Sequence, residues 1–444
     1  MSASTSSREE QAEAVDPASP RRTRLSAIVG GSVGSLVEWY DWYVYPSFAL
    51  HFAKAFFPRG DQTAQLLGAA TVFAVGFLTR PIGGWLMGRY ADRVGRRPAM
   101  ILSMVLMAVG SAGVGFTPTY AAVGVAAPAL LTLARFIQGL SLGGQYGASA
   151  TYLSEAAASR WKGFWTSFHF MTLLLGLFLA MGILLTLQHS LSRAALAAWG
   201  WRIPFWIGAG LALGSLVFTL RAPESDTRSA GDAGHKVRPW RRLWTYRRAF
   251  LIVFFVTAAG TIAFQTYVTY MPKFLVNTAG FSADISAEIT LAALIVYTAL
   301  HPLFGWISDL IGRRAILLVF GALGMVINVP LLSALAAAHT PGQAFVLLTI
   351  GLCSLTPYSA VSAIFKAELF PNDIRAFAVG LSFALSVSVF GGTAELVALS
   401  FKSAGREGGF YWYVAASMAV ALVAAMSMPR KIDRPETGLG QDSA

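Results

Sequence analysis

Charge is scarce in this chain of 444 residues: only 13% of positions are Asp, Glu, Lys or Arg, against ~25% in an ordinary soluble domain. Acid is the scarcer sign, with 22 acidic residues against 34 basic ones. Cysteine is almost absent. The single Cys353 lies in an apolar run, which excludes an internal disulfide and a cysteine-ligated metal site. No cluster of metal-ligating residues, no phosphate-binding glycine loop and no nucleophile–base pattern is visible. The long polar stretches, 1–25 and 222–248, are too short to fold as a catalytic domain. No enzyme chemistry, metal or cofactor is therefore expected. No cleavable leader is recognised, and residues 1–25, polar and serine-rich, are predicted to be disordered.

What the chain has instead is hydrophobic sequence, 55% of all residues. It falls into runs near 27–52, 64–88, 98–118, 125–154, 163–187, 202–221, 249–271, 286–308, 315–337, 342–366, 375–400 and 408–428. Each is long enough to cross the hydrocarbon core as a helix, for which ~20 apolar residues suffice. The expected fold is all-α and integral to a membrane. If the N-terminus is cytoplasmic, 24 of the 34 Lys and Arg fall on the cytoplasmic side, 7 fall on the other and 3 lie inside spans. That bias predicts cytoplasmic termini. It also accounts for the net charge of +12 through topology and lipid headgroups, so no nucleic-acid partner is expected.

The chain repeats itself. Gly88, Asp92, Gly95, Arg96 and Arg97, after the second span, return as Gly305, Asp309, Gly312, Arg313 and Arg314 after the eighth, all offset by 217. Glu155 and Lys162 return as Glu368 and Arg375, offset by 213. Pro223 and Glu224 return as Pro435 and Glu436, offset by 212. Three ordered echoes predict two parallel six-helix bundles about an axis along the membrane normal, with a site between them. The domains are then a cytoplasmic N-terminus 1–25, a half 26–221, a linker 222–248, a half 249–429 and a cytoplasmic tail 430–444. In the first echo, glycines permit close helix approach, and Asp can accept from a helix N-terminus or an Arg. Gly88, Asp92, Gly95, Arg96, Gly305, Asp309, Gly312 and Arg313 thus form either a gate or a static turn.

Ionisable residues inside spans mark function or pairing, because an isolated charge in lipid is costly. Glu38 and Asp41 share a face of the first span, and Arg80 and Arg135 lie in the second and fourth. Either these four neutralise one another, or the arginines are left to grip an anion. Gln138 and Gln145 fall on the Arg135 side of the fourth span. Lys366 either snorkels to the interface or faces the site. Glu395 either carries a proton or pairs with Lys366 or Lys402. Arg202, between aromatic residues, is an interfacial anchor or an attractor at the entrance. His169 is hydrogen-bonded or titrates. Tyr43, Gln265, Tyr267, Tyr270 and Tyr358 either line the cavity or pack.

The Gly-x-x-x-Asp-x-x-Gly-Arg-Arg loops, and Arg135, Gln138 and Gly139, resemble the major facilitator superfamily. The segments around Glu38 to Asp41, Arg80 to Gly84, Trp199 to Phe205 and Lys366 to Pro371 are similar to its metabolite:proton symporter branch. Tyr270 to Gly280 and Gly391 to Ser403 look most like the α-ketoglutarate permeases. The resemblance implies twelve helices and proton-coupled uptake of a small organic anion, a dicarboxylate such as α-ketoglutarate, by alternating access. It implies a bacterial inner membrane as the site. A monomer is expected, since its two halves already wall the cavity. Substrate contacts are then expected from Arg80, Arg135, Tyr43, Gln138, Gln145, Tyr267 and Lys366, and proton coupling from Glu38, Asp41 and Glu395. The family pattern has Glu where this chain has Gln145, which cannot carry a proton. An uncoupled exchanger, another substrate (citrate, shikimate or a zwitterion) and a non-transporting sensor are the alternatives.

Overall fold

The computed structural model describes residues 19–141, 161–221, 239–371 and 374–429. Within them the side chains of 19–35 and of several single residues, including Asp92 and Arg96, lie outside the description. Every regular element among the described residues is helical. The first half runs α1 (Ser19–Phe56), α2 (Gln62–Leu78), α3 (Arg80–Val94), α4 (Arg96–Phe116), the short α5 (Tyr120–Val123), α6 (Ala126–Ser141), α7 (Lys162–Ser190), α8 (Arg193–Ala198) and α9 (Ile203–Arg221). The second runs α10 (Pro239–Thr245), α11 (Arg247–Phe264), a π-helical stretch Gln265–Tyr270, α12 (Met271–Asn277), α13 (Ala283–Ile311), α14 (Arg313–Ala336), α15 (Pro341–Glu368), α16 (Arg375–Ser386), a second π-helical stretch Val387–Gly391, α17 (Gly392–Ser403) and α18 (Gly408–Met426). Nine spans are long and apolar enough to cross a membrane on the described residues alone. The first, fourth and sixth run into residues outside the description. Together they make the twelve-helix fold.

Local chemistry sets the helix ends. Asp61 caps α2 by accepting from the Ala64 N–H at 2.8 Å, and Ser282 and Thr340 cap α13 and α15 in the same way. The two turns of the repeat, between α3 and α4 and between α13 and α14, pivot on Gly95 (φ 113°) and Gly312 (φ 91°), a backbone conformation that favours glycine. Within the first half, α4 packs on α6 and α9, α1 on α7 and α9, and α2 on α6; in the second, α14 packs on α18 and α15, α13 on α15, and α11 on α16 and α18. The halves meet where α7 lies against α13 and α15, and where α2 lies against α17. Large apolar side chains such as Val326, Trp412 and Phe116 point outward, as a lipid-facing surface requires.

Four details depart from expectation. The first helix starts at Ser19, inside the stretch expected to be disordered; Pro20 suits a helix's first turn, where its missing N–H is no loss. The second span runs from Gln62 to Tyr90 as expected but is irregular at Thr79, where Pro81 supplies no backbone N–H; Thr79 keeps helical angles, and its carbonyl still accepts from the Gly83 N–H at 2.9 Å. The stretch expected to be linker holds the helix Pro239–Thr245, again opened by proline. Lys273, assigned to an outer loop from its place beyond the seventh span, is buried within α12, because the π-helical stretch carries the helix past Pro272.

Candidate functional site

The first half's ionisable groups gather around one indole. Trp42, on α1, is buried, and its ring centroid lies 3.8 Å from Cζ of Arg80 and 4.6 Å from Cζ of Arg135. Arg80 sits immediately after the irregular turn at Thr79, and Phe77 also lies 4.5 Å beneath it. Arg135, on α6, is wholly buried, with Tyr45 at 4.4 Å. Aromatic faces offset part of the desolvation of a guanidinium, but they are not counter-ions. Neither arginine has a carboxylate within 4.0 Å among the described residues. Arg135 Nη1 instead donates to Gln138 Oε1 at 2.7 Å, and Gln138 Nε2 donates to Asp41 Oδ2 at 2.8 Å and Ser111 Oγ at 3.0 Å. The amide thus stands between cation and acid. Nε and Nη2 of both arginines are buried without an acceptor among the described residues, and Asp41 Oδ1 is buried there without a donor. Nε and Nη2 form the edge of a guanidinium that grips a carboxylate with two parallel hydrogen bonds. The mutual ion pairing considered for these four residues is therefore not what the structure forms. Glu38 lies on the same helix face, within electrostatic reach of Arg80.

The second half is built differently. Glu395 pairs with neither Lys366 nor Lys402: both its oxygens lie 2.6 Å from Nζ of buried Lys273. Lys402 turns instead to Glu407 at 3.2 Å and to the Thr278 hydroxyl. The hydroxyl of Tyr267 donates to Asn328 Oδ1, and its ring fits against Gly351, so that residue ties the second half together. Lys366 does not snorkel; it is fully buried, with Nζ 2.9 Å from Ser362 Oγ and 4.7 Å from the Phe383 ring. A cluster on α13 and α15 went unnoticed in the sequence. His301, also fully buried, donates from Nδ1 to the Tyr297 carbonyl at 2.9 Å; in the neutral ring Nε2 then accepts from Ser359 Oγ at 3.0 Å. Phe170, from α7, stacks on that imidazole at 5.2 Å. Phe264 touches both Phe170 and Tyr43, which completes an aromatic seam between the halves. A signal was present: Tyr297 and His301 are four apart, on one face of a long apolar helix.

At the other end of α13, Asp309 reaches across the halves. Its carboxylate oxygens accept from the N–H groups of Gly163 and Phe164 at 2.8 and 2.9 Å, in the first turn of α7. Those donors have no partner inside their own helix, and the helix dipole favours an acid there. Arg313 Nη2 donates to the same Asp309 at 2.7 Å, while its Nε lies 3.5 Å from Glu368. The helices can come this close because Gly305 faces Gly163: a Cβ on Gly305 would sit 2.5 Å from the Gly163 carbonyl oxygen. In the first-half copy, Gly88 meets nothing that needs the absence of a side chain among the described residues. The Asp92 and Arg96 side chains, and Gln145 and Glu155 altogether, lie outside the described residues. Arg202 donates to the carbonyls of Ala198 and Thr117 and covers Trp201, the contacts of an anchor.

A family model described as Major Facilitator Superfamily matches residues 31–395. The chain belongs to the major facilitator superfamily. Among its curated relatives, the α-ketoglutarate permease of Escherichia coli (strain K12) is 49% identical over 93% of this chain and 95% of that one. The citrate-proton symporter of Salmonella typhi is 29% identical over 94% of this chain and 97% of its own. The inward open structure of the xylose transporter of E. coli matches with a TM-score of 0.71 at 18% identity, covering 93% of this chain and 97% of that one. At that identity it shows the fold. This major facilitator protein is a multi-pass membrane transporter and not an enzyme. Among its described residues, no group of three or more metal-ligating side chains comes together.

Proposed function

We propose that this chain is a proton symporter for a small dicarboxylate, with α-ketoglutarate the favoured substrate, in a bacterial inner membrane with both termini cytoplasmic. The observation that carries the reading is the pair of buried, unsatisfied Nε–Nη2 edges on Arg80 and Arg135. Two like charges set on one indole and short of acid repel each other, and a carboxylate between them relieves both. The 49% identity to a protein named α-ketoglutarate permease supports the substrate class. Coupling falls to Asp41, whose Oδ1 is unsatisfied, with Glu38 beside it; Glu395, ion-paired to Lys273, is the weaker candidate. Gln138 connects the two functions: a substrate drawing Arg135 away from its amide releases Asp41 to change its proton. Tyr43 and Lys366 border the path, and Asp309 with Arg313 latches α7 to α13 until the halves rock apart. One chain supplies both walls, so a monomer suffices.

A second reading, exchange without protons, is favoured by Gln145. The experiment is uptake of labelled α-ketoglutarate into proteoliposomes, with and without an inward proton gradient. Arg80→Ala and Arg135→Ala should each reduce uptake at least about a hundredfold at normal expression, since a charged hydrogen-bonded pair is lost in a dry site. Retained uptake in both variants sinks the binding assignment. Accumulation indifferent to the gradient selects exchange, and Gln145→Glu then tests whether an acid there restores coupling.

A further inference from the structure

We infer that Tyr297, on α13, is the second half's contact for the substrate and holds the end of the dicarboxylate that the arginines do not. The inference rests on the anion site proposed above and deepens it. The offset of 217 residues that lays the Gly88–Arg97 loop on the Gly305–Arg314 loop also lays Arg80 on Tyr297. Parallel repeats about an axis along the membrane normal put equivalent positions at one depth on opposite walls. The wall facing Arg80 thus presents a phenol at its level.

That phenol is built to be held and left unused. Tyr297 is completely buried, and its hydroxyl has no hydrogen-bond partner among the described residues. Ser359 Oγ lies near it without a hydrogen bond forming between them, and meets His301 Nε2 at 3.0 Å. His301 in turn holds the Tyr297 carbonyl and meets the phenol ring edge-on at 4.6 Å. Tyr43 lies within electrostatic reach of both Arg80 and Tyr297, and so joins the two walls. A buried hydroxyl without a partner is costly, and a ligand that accepts its proton removes the cost.

A phenol donates one hydrogen bond, which suits a carboxylate oxygen and not an ammonium. The ring of Tyr358, also within reach of Tyr297, has its centroid 5.8 Å from Lys366 Nζ, so this wall favours the negative end of a ligand. The ligand class is a linear dicarboxylate, one carboxylate on Arg80 and Arg135 and the other accepting from Tyr297.

The test compares full-length wild type and Tyr297→Phe in proteoliposomes. Labelled α-ketoglutarate uptake is inhibited by unlabelled α-ketoglutarate or by 2-oxopentanoate, which keeps the chain length and keto group but has one carboxylate. Tyr297→Phe should weaken the diacid about tenfold or more and leave the monoacid within about twofold, so that the preference collapses. Equal losses for both ligands, or none for either, overturn the inference. Should Tyr297→Phe fail to insert, Ser359→Ala, which loosens the His301 support, should move the same ratio several-fold; an unchanged ratio there overturns it equally. If another dicarboxylate proves the better substrate, the ratio is taken against that acid's own monoacid. Failure of the anion site itself is read separately, as retained uptake in the arginine variants.

Discussion

Lys273 and Glu395 are 122 positions apart and meet at 2.6 Å in a dry interior. Removing one partner strands the other charge, which typically costs ~3–5 kcal/mol, whereas replacing both by apolar groups is often neutral. Lys273→Met and Glu395→Met should therefore each lower the thermal midpoint in detergent micelles, and the double variant should recover most of the loss. Equal melting of single and double variants would contradict a simple pair. The arginines contrast with this pair. Arg80 and Arg135 have aromatic neighbours where Lys273 has a carboxylate, and it is the guanidinium hydrogen atoms that remain unsatisfied. The two arginines were legible in the sequence as charges inside spans. Their partners were not, because a side chain on another helix leaves no local trace.

The helices themselves carry the next level of design. Three spans depart from regular α-helix at mid-course: the second at Thr79, the seventh over Gln265–Tyr270 and the eleventh over Val387–Gly391. Each departure falls within a few residues of a buried charge, Arg80, Lys273 or Glu395. Irregular backbone in a membrane is tolerated where protein or a cavity satisfies it, and such breaks mark binding regions in transporters. Pro81 and Pro272 foretell two of these irregular turns. At the α7–α13 crossing, Gly305 is the controlling residue. Gly305→Leu would drive its side chain into the Gly163 carbonyl and part Asp309 from its two backbone donors. The expected outcome is a longer distance between spin labels at the Asp309 ends of α7 and α13, with transport reduced more than about tenfold; an unchanged distance distribution would show that the contact is no latch.

At the scale of the molecule, the charge bias predicts that both termini lie in the cytoplasm. A fluorescent protein fused after Ala444 should glow, and alkaline phosphatase fused at the same point should stay inactive, as a cytoplasmic end requires. An active phosphatase there would reverse the orientation and place the Asp309 latch on the outer side. The number of spans, the duplicated halves and the class of fold were decided by sequence alone. The bilayer imposes length, apolarity and backbone satisfaction on each segment separately, and those demands are written locally. Only the tertiary structure decided that Gln138 separates Arg135 from Asp41, that Glu395 takes Lys273, and that Asp309 spans the halves. Which charges meet depends on the depth and rotation of helices packed far apart in sequence, and hydropathy and periodicity record neither.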